Sequence, residues 1–108
     1  MLPVTDESEE ILSTNEKLNL ETARIPWAEL QRLYARGVVM VVSENLDLVS
    51  VAVAVVDDLA DQVKAWVGQG KLRRATDKDA LEWYEGEASL WAVAVAPWVL
   101  VQQEKSRD

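Results

Sequence analysis

A chain of 108 residues, 49% of them hydrophobic, can build one core but not two, and is too apolar to be disordered throughout. A formal net charge of −8 sets it against nucleic-acid backbones and anionic membranes, since both repel a surplus of carboxylates. With no cysteine and no histidine, it has no disulfides, thiol nucleophiles, thiolate metal sites or imidazole-based catalysis and ligation.

In chain order, Met1–Glu10 is acidic and lacks the apolar core of a signal peptide, and residues 1–12 read as a flexible acidic tail. Ser13-Thr14-Asn15-Glu16 fits a capping box ahead of a first helix over Thr14–Arg24, limited by Pro26. Pro26 suits the first turn of a second helix with Trp27, Leu30, Leu33 and Tyr34 as its apolar stripe and Gly37 as its end. Val38–Val42 reads as a strand. Leu48–Val56 has valines at alternate positions and reads as a second strand, joined to the first as a hairpin through Ser43–Asp47. Asp57 and Asp58 are expected to open a third helix over Leu59–Val67, with Leu59, Val63, Trp66 and Val67 inward and Gly68 and Gly70 ending it. Lys71–Ala75 reads as a brief strand. Thr76 or Asp77 caps a fourth helix to Glu85, with Ala80, Leu81 and Tyr84 inward.

The run Leu90–Val101 is the most hydrophobic in the chain. As a strand it sets Leu90, Ala92, Ala94 and Ala96 on one face and Trp91, Val93 and Val95 on the other. Both faces are apolar, so the strand is expected to be covered on both sides, with Pro97 marking a bend and pairing resuming at Trp98–Val101. The run is about a dozen residues with a proline inside it, short of the roughly 20 that a membrane span needs. These elements describe an α+β domain over residues 13–102: a small mixed or antiparallel sheet of three to four strands packed with about four helices, followed by a polar tail at 103–108.

Several clusters invite a chemical reading. Asp57, Asp58 and Asp61, and likewise Asp77, Asp79 and Glu82, are oxygen donors of the kind Mg²⁺ and Ca²⁺ favour, but capping and the helix dipole place carboxylates at helix starts too. Arg73 and Arg74, in the basic run Lys71–Arg74, suit a phosphate, an acidic partner segment or the protection of an exposed strand edge. Gly68-Gln69-Gly70 follows a helix and lacks the Lys-Ser/Thr of a phosphate loop. Five tryptophans accompany no phenylalanine. Trp27 and Trp66 lie on apolar stripes, whereas Trp83 falls off its helix's stripe and Trp98 follows a proline, which makes those two the interface candidates. Glu21, Arg24 and Glu29, at helical spacings, are candidates for a polar pocket near Trp98.

The tract Leu18–Gln31, with its Arg24-Ile25-Pro26-Trp27 centre, resembles a small bacterial family filed as domain of unknown function 2288. So do Leu46–Val49 and Leu90–Gln102, and the resemblance spans residues 14 to 102 in the family's order. It implies a bacterial, cytoplasmic, stand-alone domain and carries over no activity, cofactor or catalytic residue. The favoured functional expectation is a non-enzymatic domain acting by protein association, as a homo-oligomer or with another protein, without cofactor, metal, nucleic acid or membrane. The alternative is a small-ligand or carboxylate-dependent enzyme site near Glu21, Arg24, Glu29 and Trp98.

Overall fold

In a computed structural model, which describes residues 17, 18 and 21–103, Leu100 and Val101 are neighbours in one strand and are 1% and 0% exposed. Successive strand residues point to opposite faces, so a sheet that buries both must be covered on both sides. The elements from Ala23 onward are β1 (Ala23–Pro26), α1 (Trp27–Ala35), β2 (Val39–Val42), α2 (Leu48–Val56), α3 (Ala60–Gly68), β3 (Leu72–Arg74), α4 (Asp77–Glu85), β4 (Ser89–Val95) and β5 (Trp98–Gln102). The five strands form one sheet in the order β1-β4-β5-β2-β3. All neighbours are antiparallel except β2 and β5, which pair in parallel with Val39 opposite Val99.

One face of the sheet packs Val42, Leu72, Val93, Val95 and Leu100 against Leu48, Val51 and Ala52 of α2, with Val63 and Trp66 of α3 at the margin. The other packs Val39, Leu90, Ala92 and Val101 against Trp27 and Leu30 of α1 and Trp83 of α4. The small Ala92 on that face leaves room for the two indoles. The expected two-sided cover of the last apolar run is therefore present at Leu90, Ala92, Val93 and Val95, whereas Trp91 and Ala94 of β4 are exposed. Pro97 sits at the bend between β4 and β5, after a cis Ala96–Pro97 peptide, with Val95 paired to Trp98.

The fold is α+β, but the sheet has five strands rather than three to four, and two assignments change. Leu48–Val56 is a helix, not a strand. The Asp47 carboxylate accepts from the Ser50 amide and the Ser50 hydroxyl, both at 2.9 Å, and so caps α2. Nearly every residue of the segment is apolar, so helical and strand periods fit it equally; the cap and burial from two sides decide against the β-branched preference of its valines. The segment expected to end the first helix is the second change. Residues 17, 18 and 21 are helical, but Arg24 and Ile25 lie in β1, opposite Trp91 and Leu90. Pro26 precedes α1 as its N-cap residue, and Gly37, at φ +77°, ends the turn that follows α1. The Ser13–Glu16 capping box and both proposed tails, residue 103 apart, lie outside the described residues.

Two smaller corrections concern charges. Asp57 closes α2 and Asp58 sits in the left-handed region at φ +57°, so neither side chain caps α3, whose N-cap residue is Leu59. Thr76 and Asp79, by contrast, form a reciprocal capping box on α4. At the end of β5 the Gln102 amide donates to the Ser43 and Leu46 carbonyls at 2.8 and 2.6 Å, tying the β2–α2 turn to the sheet.

Asp47→Ala is expected to lower the unfolding free energy by about 1 kcal/mol through loss of the cap. Asp58→Gly is expected to leave it unchanged or raise it by up to about 1 kcal/mol, because glycine occupies the left-handed region without steric cost. Urea titrations of the two variants against the parent protein measure both changes.

Candidate functional site

Trp83 is the clearest departure from the expected site. It is 2% exposed, with its ring centroid 5.8 Å from that of Trp27, which stands 5.8 Å from Tyr34. On α4, Ala80 packs against the core as expected, but Leu81 and Tyr84, also expected inward, are 55% and 68% exposed. Trp83 thus belongs to the core, and has no surface to offer a partner. The helix is rotated because its capping box and the contacts of Asp77 and Asp79 fix its phase. The Tyr34 hydroxyl donates to Asp77, which holds the phenol above its ordinary pKa, with desolvation and the nearby carboxylates adding to the effect.

Arg73 is occupied within the fold. Its guanidinium donates to both oxygens of Asp79, at 2.6 and 3.1 Å. Asp79 also accepts from the Thr76 amide and hydroxyl, at 2.8 and 3.0 Å. The hydrogen bonds from Arg73 hold the Asp79 carboxyl below its ordinary pKa; burial opposes the shift, and the Thr76 donors reinforce it. Arg74 lies on the other face of β3 and stacks over Trp98, 5.3 Å from the ring centroid. β3 is an edge of the sheet, so both arginines flank an exposed edge, the placement that discourages pairing with stray strands.

Glu21, Arg24 and Glu29 do not form a pocket with Trp98. Glu21 and Glu29 are exposed, the latter in the first turn of α1. Arg24 lies on β1 with its guanidinium 5.8 Å from the Trp91 ring. β1 is separated from β5 by β4, and none of the three residues lines the cavity beside Trp98. Helical spacing groups them, and the change to a strand at Ala23 removes that grouping. Among the described residues no three carboxylates are placed to hold a metal ion.

The cavity beside Trp98 is an open groove of about 360 Å³ between α3 and the sheet. Met40, Leu72, Trp98 and Leu100 form its floor, Val55 closes one end, and Ala60, Val63 and Val67 form the α3 wall; Asp58 and Lys64 are the charged groups on its lining. No residue of α3 is fully buried, although Val63 and Trp66 pack in part against the core. Val56 at the end of α2, and Leu59 and Val67 at the two ends of α3, are 50%, 50% and 49% exposed. Sequence reasoning takes the α3 stripe as fully inward and so misses this surface; its signal is a stripe of four apolar residues on a helix followed by glycines. Apart from Asp58 and Lys64 the groove's lining is apolar, the chemistry that accommodates apolar side chains.

A family model described as "Protein of unknown function (DUF2288)" matches residues 13–103. Among solved structures, the chain is similar to that described as the NMR solution structure of PA1075 from Pseudomonas aeruginosa, at 43% identity and a TM-score of 0.77, covering 92% of this chain and 93% of that one. No curated protein matches. Neither description names a substrate, cofactor or partner.

Two outcomes follow from the site geometry. Asp79 contributes stability above the ordinary carboxyl value of about 3.9 and loses it as pH falls through its lower folded value. The stability difference between the parent and Asp79→Asn should therefore be largest near neutrality and shrink toward zero on acidification below about pH 4, measured by thermal unfolding across pH. Trp83→Ala should cost about 3–5 kcal/mol of stability, as expected of a core residue, in denaturant titration.

Proposed function

We propose that this chain, which belongs to the DUF2288 family of proteins of unknown function, is a protein-association domain that acts by self-association through its α3 face. The observation that carries the reading is the half-filled layer beneath α3. A nine-residue helix with no fully buried residue lies beside an apolar groove, with half-exposed Leu59 and Val67 at its ends and half-exposed Val56 at the end of α2. Contiguous exposed apolar surface rimmed by charge is the mark of an interaction site, and a Trp in a groove is a favoured anchor for one. Trp98 and Arg74 remain the interface residues of this reading; Trp83 and Arg73 are committed to the fold.

The enzyme alternative loses its support, because Glu21, Arg24 and Glu29 do not converge on the groove. No helix among the described residues is long and apolar enough to cross a membrane, and the reading assigns the protein to the cytoplasm, where a chain free of cysteine needs no disulfide.

Light scattering over a range of concentrations should give a solution mass above that of one chain, and Val67→Glu should return it to the single-chain value. A single-chain mass for the parent protein at every concentration removes the self-association reading.

A further inference from the structure

We propose that the groove between the start of α1 and the turn after α4 binds a small organic cation with a quaternary or methylated ammonium head. The groove lies on the α1–α4 side of the sheet, so the inference goes beyond the self-association reading and does not depend on it. Its volume is about 360 Å³, and Trp27, Gln31, Tyr84 and Glu87 are among the residues that line it. A cavity of this size holds a small ligand when largely apolar walls carry a few placed polar groups.

The first observation is the position of Glu87. It sits at φ +49°, in the left-handed region that residues other than glycine seldom adopt. The place is the one after a helix that glycine fills without steric cost. The chain has a glycine one position earlier, yet Gly86 lies at φ −88° and leaves the left-handed turn to Glu87. The backbone on either side is pinned. The Glu87 amide donates to the Tyr84 carbonyl at 3.2 Å, the Ala88 amide donates to the Trp83 carbonyl at 2.9 Å, and the Ala88 carbonyl accepts from the Trp27 amide at 2.9 Å. A carboxylate is thus held at the groove at the expense of backbone strain, and strain of this kind collects at ligand sites. Among the described residues that carboxylate has no ion-pair partner.

The second observation is the pair of rings that line the groove with it. Trp27 is held against Trp83 and Tyr34, each with its ring centroid 5.8 Å away, so its indole is fixed before any ligand arrives. Tyr84 is 68% exposed. Ring faces attract cations through their quadrupole, and quaternary ammonium groups are the ligands that aromatic walls recognise best. A bare metal ion requires several oxygen ligands, whereas this groove offers one carboxylate beside two rings. An alkylated ammonium matches that set, because it joins a single positive charge to an apolar surface. The surrounding charge has the right sign. No lysine or arginine occurs between Lys78 and Lys105, a stretch that holds Glu82, Glu85 and Glu87, and the whole chain carries −8. The field at this turn therefore draws cations and repels anions.

The test is titration of the full chain with choline chloride, followed by the indole N–H of Trp27 and the amides of Glu87 and Ala88 in two-dimensional NMR. Sodium chloride holds the ionic strength constant, and the uncharged alcohol in which carbon replaces the choline nitrogen is titrated in parallel. Choline should shift these signals to saturation, and the neutral isostere should bind about tenfold more weakly, the discrimination that ring faces and a counter-charge provide together. Glu87→Gln keeps the side-chain shape and removes the charge, and should weaken choline about tenfold. Glu87→Gly should weaken it as much while raising the midpoint of thermal unfolding, since glycine relieves the strain. Tyr84→Leu, at an exposed position, should weaken binding severalfold with an unchanged far-ultraviolet circular dichroism spectrum. No saturable shift with choline, an equal response to the neutral isostere, or full affinity in Glu87→Gln overturns the inference.

Discussion

The constraint on which the rest depends is that β5 is covered from both sides, with Leu100 and Val101 fully buried on opposite faces. Trp98 and Leu100 face one helical layer, and Val99 and Val101 the other. Its neighbours differ in direction, β4 antiparallel and β2 parallel, so the sheet is mixed because of what flanks this one strand. Once β5 requires cover on both faces, the helices must divide, with α1 and α4 on one side and α2 and α3 on the other. They do not divide equally. α1 and α4 contribute Trp27, Leu30 and Trp83 to a closed core, whereas α3 contributes no buried residue. The uneven filling of the two layers is what leaves the groove beside Trp98 open.

Much of this is legible in the amino-acid sequence. The two apolar faces of Leu90–Val95 lead directly to two-sided cover, and the Thr76 capping signal places the start of α4 correctly. Leu48–Val56 is not legible, because in a segment with almost no polar residue the 2.0 and 3.6 periods cannot be told apart; the deciding group, the Asp47 carboxylate, lies just outside it. Ala23–Pro26 is not legible for the opposite reason. Its residues are consistent with a helix end, and only the pairing with β4, distant in sequence, makes it a strand.

The site is legible in part. Trp98 and Arg74 stand out by the proline before one and the basic run around the other, and the fold stacks them together. Trp83 reads as a surface residue because Leu81 and Tyr84 make the natural stripe of α4. A helix phase is set by what anchors it, and here the anchors are the polar contacts of Asp77 and Asp79, which turn the indole inward. The exposed apolar residues of α3 are misread because amphipathic periodicity reports which side of a helix is apolar, not how closely that side meets its neighbour.

The parallel pairing of β2 with β5 bears on how the protein is made. β2 emerges from the ribosome early, but the strand that fills the place beside it follows only after more than half of the chain's length has been translated. Until then the growing chain holds the outer strand pair β2–β3 on one side and β1 with β4 on the other, and nothing joins them. The Gln102 amide, at the far end of β5, fastens the early β2–α2 turn to this late strand. The sheet therefore becomes continuous only once β5 is in place between β4 and β2.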